Sequence, residues 1–427
     1  MKRIHNIACV AGFVALAAGA VVNPAFADDV ADFYKSRTMT MYIGYSAGGG
    51  YDVYGRALAR HMGNHIPGNP RFVAKNVTGA GSLVLTNQMY NSIPKDGTAV
   101  AMIGRGLPTE PLFGNKKAKY DPREFGWIGS MNNEVSVCVA WHTTPVKTWE
   151  DLQTRGLIVG GTGSGSDTDT FPTVLNNVLG TKMKLITGYP GGNDINFAVE
   201  KGELEGRCGW SWSSVVSTRA EWLKDKKIRI LLQISTAKHP DLPNVPLALD
   251  LAKTPKDRQV MKMIFSRQVW GRPFFTTPGV PEARLAALRK AFDDTMKDPK
   301  FIADAKRQKL EINPVAGDIV QKDIAELYKT PADVVKEAVR ATTYTGNIQI
   351  SKAVIPVVTT KGTISKLDAD HRKVSWEGGG KKGKLSVSGS KTELSIGGKK
   401  ANRKELKTGM NCEFTYQGSA AKKIACQ

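Results

Sequence analysis

Beyond Val22 the sequence has no apolar run of the about 20 residues that a membrane-spanning helix needs. Histidine is scarce, with 6 residues in 427, and His61, His65, His142, His239 and His371 are widely scattered. Neither H-E-x-x-H nor C-x-x-C occurs, so no metal-ligand spacing stands out and no cofactor is expected. The G-x-x-x-x-G-K-[ST] loop of nucleotide-binding enzymes is missing. Gly161-Thr162-Gly163-Ser164-Gly165-Ser166 misses the G-x-S-x-G spacing of a nucleophile elbow. No RNA-binding aromatic motif or zinc-finger spacing is found. A non-enzyme without a nucleic-acid partner is the expectation.

What is present begins at the N-terminus. Lys2 and Arg3 precede an apolar stretch over 7–22, and Asn23-Pro24-Ala25-Phe26-Ala27 follows it. This is the pattern of a secretory signal over 1–27, cleaved after Ala27; for a retained anchor the stretch is short. The mature protein is expected outside the cytoplasm. Of the 5 cysteines only Cys9 lies in the signal, and an even remainder in an oxidising compartment reads as disulfides. Cys412 and Cys426 flank two strand-like pieces, and a hairpin with a three-residue loop centred on Ser419 sets them opposite each other. Cys138 with Cys208 then follows by elimination.

The formal charge of +21 is unevenly spread: after Thr345 the chain holds 16 Lys and Arg against 6 Asp and Glu. The same tail changes character. Residues 362–367, 373–377, 384–388, 393–396, 410–416 and 422–426 read as six short strands between glycine- and aspartate-containing turns. A small basic all-β barrel or sandwich over 346–427 is expected, clipped by Cys412–Cys426. Its lysines suit a solvated face or, as a partner, an anionic envelope polymer. From 39 to 327, apolar runs at 99–103, 135–140, 157–159 and 228–234 alternate with amphipathic stretches such as 53–62 and 281–296. That alternation predicts an α/β fold with largely parallel sheets.

Two glycine turns carry the chemistry. Tyr45-Ser46-Ala47-Gly48-Gly49-Gly50-Tyr51-Asp52 and Asn76-Val77-Thr78-Gly79-Ala80-Gly81-Ser82 each follow a short apolar run and open a helical pattern. Such a turn aims backbone N–H groups and the positive end of a helix dipole into one small space. A carboxylate or phosphate can be held there without a basic side chain. One turn reads equally well as a tight connection; two in succession favour two walls of one anion site. Neither completes G-x-G-x-x-G, because Val53 and Val84 stand at the third position.

The turn Ser46-Ala47-Gly48-Gly49-Gly50-Tyr51-Asp52 resembles the Pro-Ala-Gly-Gly-x-x-Asp turn of the solute receptors of tripartite tricarboxylate transporters, the Bug family. Gly79-Ala80-Gly81 is similar to that family's second loop, and Pro94-Lys95-Asp96-Gly97-Thr98 to its strand lead-in. Further along, 235–246 is similar to its Leu-Pro-x-Val-Pro segment, and Thr277-Pro278-Gly279-Val280-Pro281 to its Pro-x-Gly-x-Pro. Ser46 departs from the usual proline, and nothing after Thr345 belongs to the family pattern.

The resemblance implies a two-lobed periplasmic-binding-protein (Venus-flytrap) fold, with lobe 1 from 28–129 and 243–345 and lobe 2 from 130–242. It implies a periplasmic receptor that captures a small organic carboxylate and delivers it to the cognate membrane permease subunits. Carried over, Tyr45, Ser46, Ala47, Gly48 and Gly49 form one wall of the cleft, and Thr78, Gly79, Ala80 and Gly81 the other. Thr162, Ser164 and Ser166 offer hydroxyls and N–H groups from lobe 2, and Asp194 meets a hydroxyl or amino group of the solute. Asp52 is expected to fix the first loop, and Trp210 and Trp212 to wall the cleft. Two readings stand beside this one: a binding protein for phosphate, sulfonate or an amino acid, and a secreted enzyme or envelope structural protein.

Overall fold

The computed structural model describes residues 25–427 except 347, 355, 390 and 419. The predicted signal therefore lies outside the described residues, apart from its last three. In chain order, β1 (Thr38–Ile43), β2 (Arg71–Asn76), β3 (Ala99–Met102) and β4 (Gly126–Ser130) enter a first sheet. A second sheet takes β5 (Ser136–Trp141), β6 (Gly156–Gly160), β7 (Lys182–Thr187), β8 (Gly206–Ser211) and β9 (Ile228–Ile234). The chain then returns to the first with β10 (Pro273–Thr276) and β11 (Val315–Ala316), and to the second with β12 (Gln349–Lys352). The strand orders are β11-β4-β10-β3-β1-β2 and β12-β7-β6-β8-β5-β9.

β1 pairs in parallel with β2 and β3, and β6 with β7, each through a connection long enough to hold a helix. β10 lies antiparallel to β3 and β4, and β5 antiparallel to β8 and β9. The sheets are thus mixed, not largely parallel. A strand that arrives from the other sheet has no crossover helix to fix its direction.

Alternation places the core. Met39, Met41 and Ile43 of β1 are fully buried and pack with Tyr54, Ala57 and Leu58 of helix Gly50–His61 and with Phe274 and Phe292. The second sheet packs Leu157, Val159 and Phe171. Residues 243–345 were expected in lobe 1, yet helix Pro255–Phe265 adds Val260, Met261, Ile264 and Phe265 to this second core, and helix Ala332–Thr342 adds Ala338 and Ala341. β12, beyond the expected boundary at 345, sets Ile350 beside Leu185 on the edge of the second sheet. Gln349-Ile350-Ser351-Lys352 is exposed throughout, so no burial pattern announces it.

The tail is all-β. Its strands are β13 (Val357–Leu367), β14 (Lys373–Gly378), β15 (Lys381–Ser386), β16 (Glu393–Ile396), β17 (Lys399–Lys400), β18 (Asn411–Gln417) and β19 (Ala420–Cys426). They follow the order β15-β14-β13-β18-β19-β16-β17, and β15 also meets β19. Ile364, Trp376, Phe414 and Ile424 form their own core. The Cys412–Cys426 disulfide spans β18 and β19. Gln417 pairs with Ala420, so the turn is tighter than the expected loop, and a register shift between Thr415 and Tyr416 restores the cysteines to opposite places. Ser419 itself lies outside the described residues. Cys138–Cys208 joins β5 to β8. No helix among the described residues is long and apolar enough to cross a membrane.

Candidate functional site

The first glycine turn connects β1 to helix Gly50–His61, and Gly48 takes φ +88° there. Asp52 is fully buried and accepts the Gly48 N–H at 2.9 Å. It also accepts from Arg56 and from Asn76 at 2.8 Å each, and Asn76 donates on to the Tyr45 carbonyl at 2.8 Å. One carboxylate fixes the first loop and ties it to the end of β2, where the second turn begins. In that turn Gly79 and Gly81 take φ +135° and +63°.

Both turns meet loops of the second sheet directly. The Ser46 N–H donates to the Pro190 carbonyl at 3.1 Å, and Ser46 Oγ to Asp194 Oδ2 at 2.6 Å. The Gly81 N–H donates to the Thr162 carbonyl at 2.8 Å, and Ser164 Oγ to Glu110 at 3.2 Å. Several donors expected to face a solute are therefore engaged between the two sheets. Thr78 and Ala80 lie exposed. Of the expected residues, Tyr45, Gly49, Thr162 and Ser166 line the cavity that remains, a space of about 40 Å³. Ala47, Gly48, Gly79, Gly81, Ser164, Ser46 and Asp194 shape the closed loops around it and do not line it.

Helices Gly50–His61, Asp167–Val174 and Gly192–Glu200 all begin at this cavity. Gly49 and Gly191, at two of the caps, bring no capping side chain. Their first-turn N–H groups suit an anion.

The expectation of a site without basic side chains does not hold. Arg105 and Arg207 both line the cavity. Arg105 is neutralised, because its Nε donates to Asp167 at 2.6 Å and its Nη1 to the Gly271 carbonyl at 2.8 Å. Arg207, on β8, is 9% exposed. Its Nη1 donates to the Gly192 carbonyl and to Asn196 at 3.0 Å each, and the guanidinium lies over the Trp210 ring at 4.7 Å. Burial, with Arg219 and Arg272 as like-charged neighbours, pulls the Arg207 pKa down to about 9. One signal for it stood in the sequence: a lone charge in the otherwise uncharged strand Gly206-Arg207-Cys208-Gly209-Trp210-Ser211.

Behind the cavity, Arg272, just before β10, is fully buried. It donates to Ser211, Ser213 and Ser214 at 3.0, 2.7 and 2.7 Å and pairs with Glu134 at 3.2 Å. Trp210 is buried under Arg207, and Trp212 faces a different cavity of about 620 Å³, so neither walls the cleft. Gly44-Tyr45-Ser46-Ala47-Gly48 does carry the G-x-S-x-G spacing that 161–166 lacks. Ser46 Oγ is bound to Asp194, however, and no histidine among the described residues lines the cavity to serve as its base.

No family model matches the chain. The UPF0065 protein in the gbd 5′ region of Cupriavidus necator is 33% identical over 255 residues, covering 59% of this chain and 75% of that protein. The chain belongs to the UPF0065, or Bug, family. The periplasmic binding protein BugD superposes with a TM-score of 0.59 at 20% identity, over 71% of this chain and 98% of BugD. An R. palustris protein solved with adipate gives 0.56 at 16%, over 71% and 97%. MatC from Rhodopseudomonas palustris, solved with malate, gives 0.56 at 18%, over 70% and 99%. The fold is that of two-lobed periplasmic binding proteins. These Bug relatives are binding proteins, not enzymes, and their superposition leaves more than a quarter of this chain uncovered.

Proposed function

We propose that this Bug-family chain is an exported periplasmic receptor that holds a small organic carboxylate between its lobes and delivers it to a tripartite tricarboxylate-type permease. One observation carries the reading. Two glycine turns close on two loops of the opposite sheet, around a cavity where three helix starts converge. Donors without matching carboxylates suit an anionic solute. Adipate and malate, held by two structural relatives, define the class to test first. Tyr45, Gly49, Thr162 and Ser166 contact the solute in this reading, while Ser46, Ala47, Gly48, Thr78, Gly79, Ala80, Gly81, Ser164 and Asp194 form the closing loops. Packing favours a lobe 1 of 28–131 with 266–328, and a lobe 2 of 132–265 with 331–353.

Arg207 gives the second reading, a phosphate or sulfonate receptor, a specific footing. A thermal-shift screen on protein unfolded and refolded to remove any carried solute separates them. A carboxylate at a hundred-fold excess over Kd stabilises by about 2.7 kcal/mol. Shifts from phosphates or sulfonates alone favour the second reading. No shift from any anion removes the receptor reading.

A further inference from the structure

Among the described residues, Arg207 is the one guanidinium lining the cavity without an opposite charge. Arg105 has Asp167, and Arg272 behind it has Glu134. No carboxylate among the described residues comes within ion-pair distance of Arg207, whose acceptors are one carbonyl and one amide. Both use Nη1. Nε is buried without a partner, and Nη2 makes no hydrogen bond among the described residues. Even so lowered, the guanidinium keeps its proton at neutral pH, so burial next to Arg219 and Arg272 leaves a positive charge that an anion would offset. The helix starts at Gly50 and Gly192 add their positive ends to the same space.

We infer that Arg207 is the specificity-determining residue of the cleft, pairing through Nε and Nη2 with a carboxylate of the solute. The inference rests on the receptor reading and departs from it in one respect. Selection for a charged solute comes from a side chain, and the glycine turns supply closure. Trp210 beneath the guanidinium holds its plane, and the Gly192 carbonyl and Asn196 hold Nη1, so the fork is set before the solute arrives. An amide of the same shape offers no full charge and is rejected.

The test uses the mature protein, refolded to empty it, with Arg207→Gln and Arg207→Lys. Probes are malonate, succinate, glutarate and adipate, each beside its diamide, titrated calorimetrically. Wild type is expected to bind at least one diacid and no diamide. Arg207→Gln is expected to bind that diacid about 30-fold more weakly or worse. Arg207→Lys, which keeps the charge without the fork, is expected to fall between them. Relief of an uncompensated buried charge offsets the lost bonds to Gly192 and Asn196 and the stack on Trp210, so empty Arg207→Gln should melt at or above wild type. Equal affinity in Arg207→Gln overturns the inference and leaves the receptor reading standing. A variant that melts lower or fails to fold marks Arg207 as structural and overturns it as well. A wild type that binds none of the diacids, and no carboxylate in the wider screen, defeats the receptor reading itself.

Discussion

Gly81 shows how much of the closed cleft rests on one missing side chain. A Cβ there meets the carbonyl oxygens of Gly163 and Ser164 at 3.0 and 3.1 Å, and the backbone sits at φ +63°. Gly81→Val is expected to cost about 1–2 kcal/mol in strain and to abolish solute binding, because the loops can no longer meet. Calorimetry that found undiminished affinity would show that closure does not pass through this turn. Lys75 is the contrasting case: its ammonium lies over Tyr42, away from the cavity, and Lys75→Ala should leave affinity unchanged. Arg56 is no such neutral control, since it bonds both Asp52 and Asn76.

At the scale of elements, two buried carboxylates join segments that are far apart in sequence. Asp304, on helix Pro299–Arg307, accepts from Arg60 at 2.7 Å and from His61 at 3.1 Å at the end of helix Gly50–His61. Burial raises its pKa, but the hydrogen bonds from Arg60 and His61 outweigh burial and hold it below the usual aspartate value. The sign follows. Its stabilising effect is present above the unfolded pKa of about 3.9 and is lost as the pH falls through the lower folded value. Asp304→Asn should cost about 1.5–3 kcal/mol near neutrality, and the gap from wild type should close in acid. A gap independent of pH would assign the effect to packing. Glu134 is the second carboxylate, held by Arg272 between the sheets, and Arg272→Ala should destabilise by about 3–5 kcal/mol. Denaturant unfolding measures both.

Across the whole molecule, the boundary of the tail decides how it can be removed. A cut after Thr345 takes away Ile348, buried in the second sheet's core, and β12, paired on that sheet's edge. A cut after Val354 keeps them and loses the third sheet, whose Arg372 donates to the Ala74 carbonyl at 3.1 Å. The protein cut after Val354 is expected to retain solute affinity within a few-fold, and the one cut after Thr345 to melt lower. Loss of binding in a folded 354 truncation would show that the tail helps to build the cleft. Within the tail, Cys412→Ser with Cys426→Ser opens a loop with a sequence separation of 14. Its removal should cost the β-domain about 3 kcal/mol, read by its own unfolding transition.

Local order was legible in the sequence. Glycines marked both turns, an apolar run marked β9, an amphipathic pattern marked the helix Glu282–Lys297, and register counting paired Cys412 with Cys426. Each depends on residues a few positions apart, where sterics and side-chain period act directly. The tertiary structure alone decided that helix Pro255–Phe265 packs on the second sheet's core and β12 pairs at that sheet's edge, that Ser46 binds Asp194, and that Arg207 lines the cavity. These are meetings across 148 residues in the case of Ser46 and Asp194. They are set by how the chain crosses between two sheets, and that geometry is contained in no local stretch of sequence.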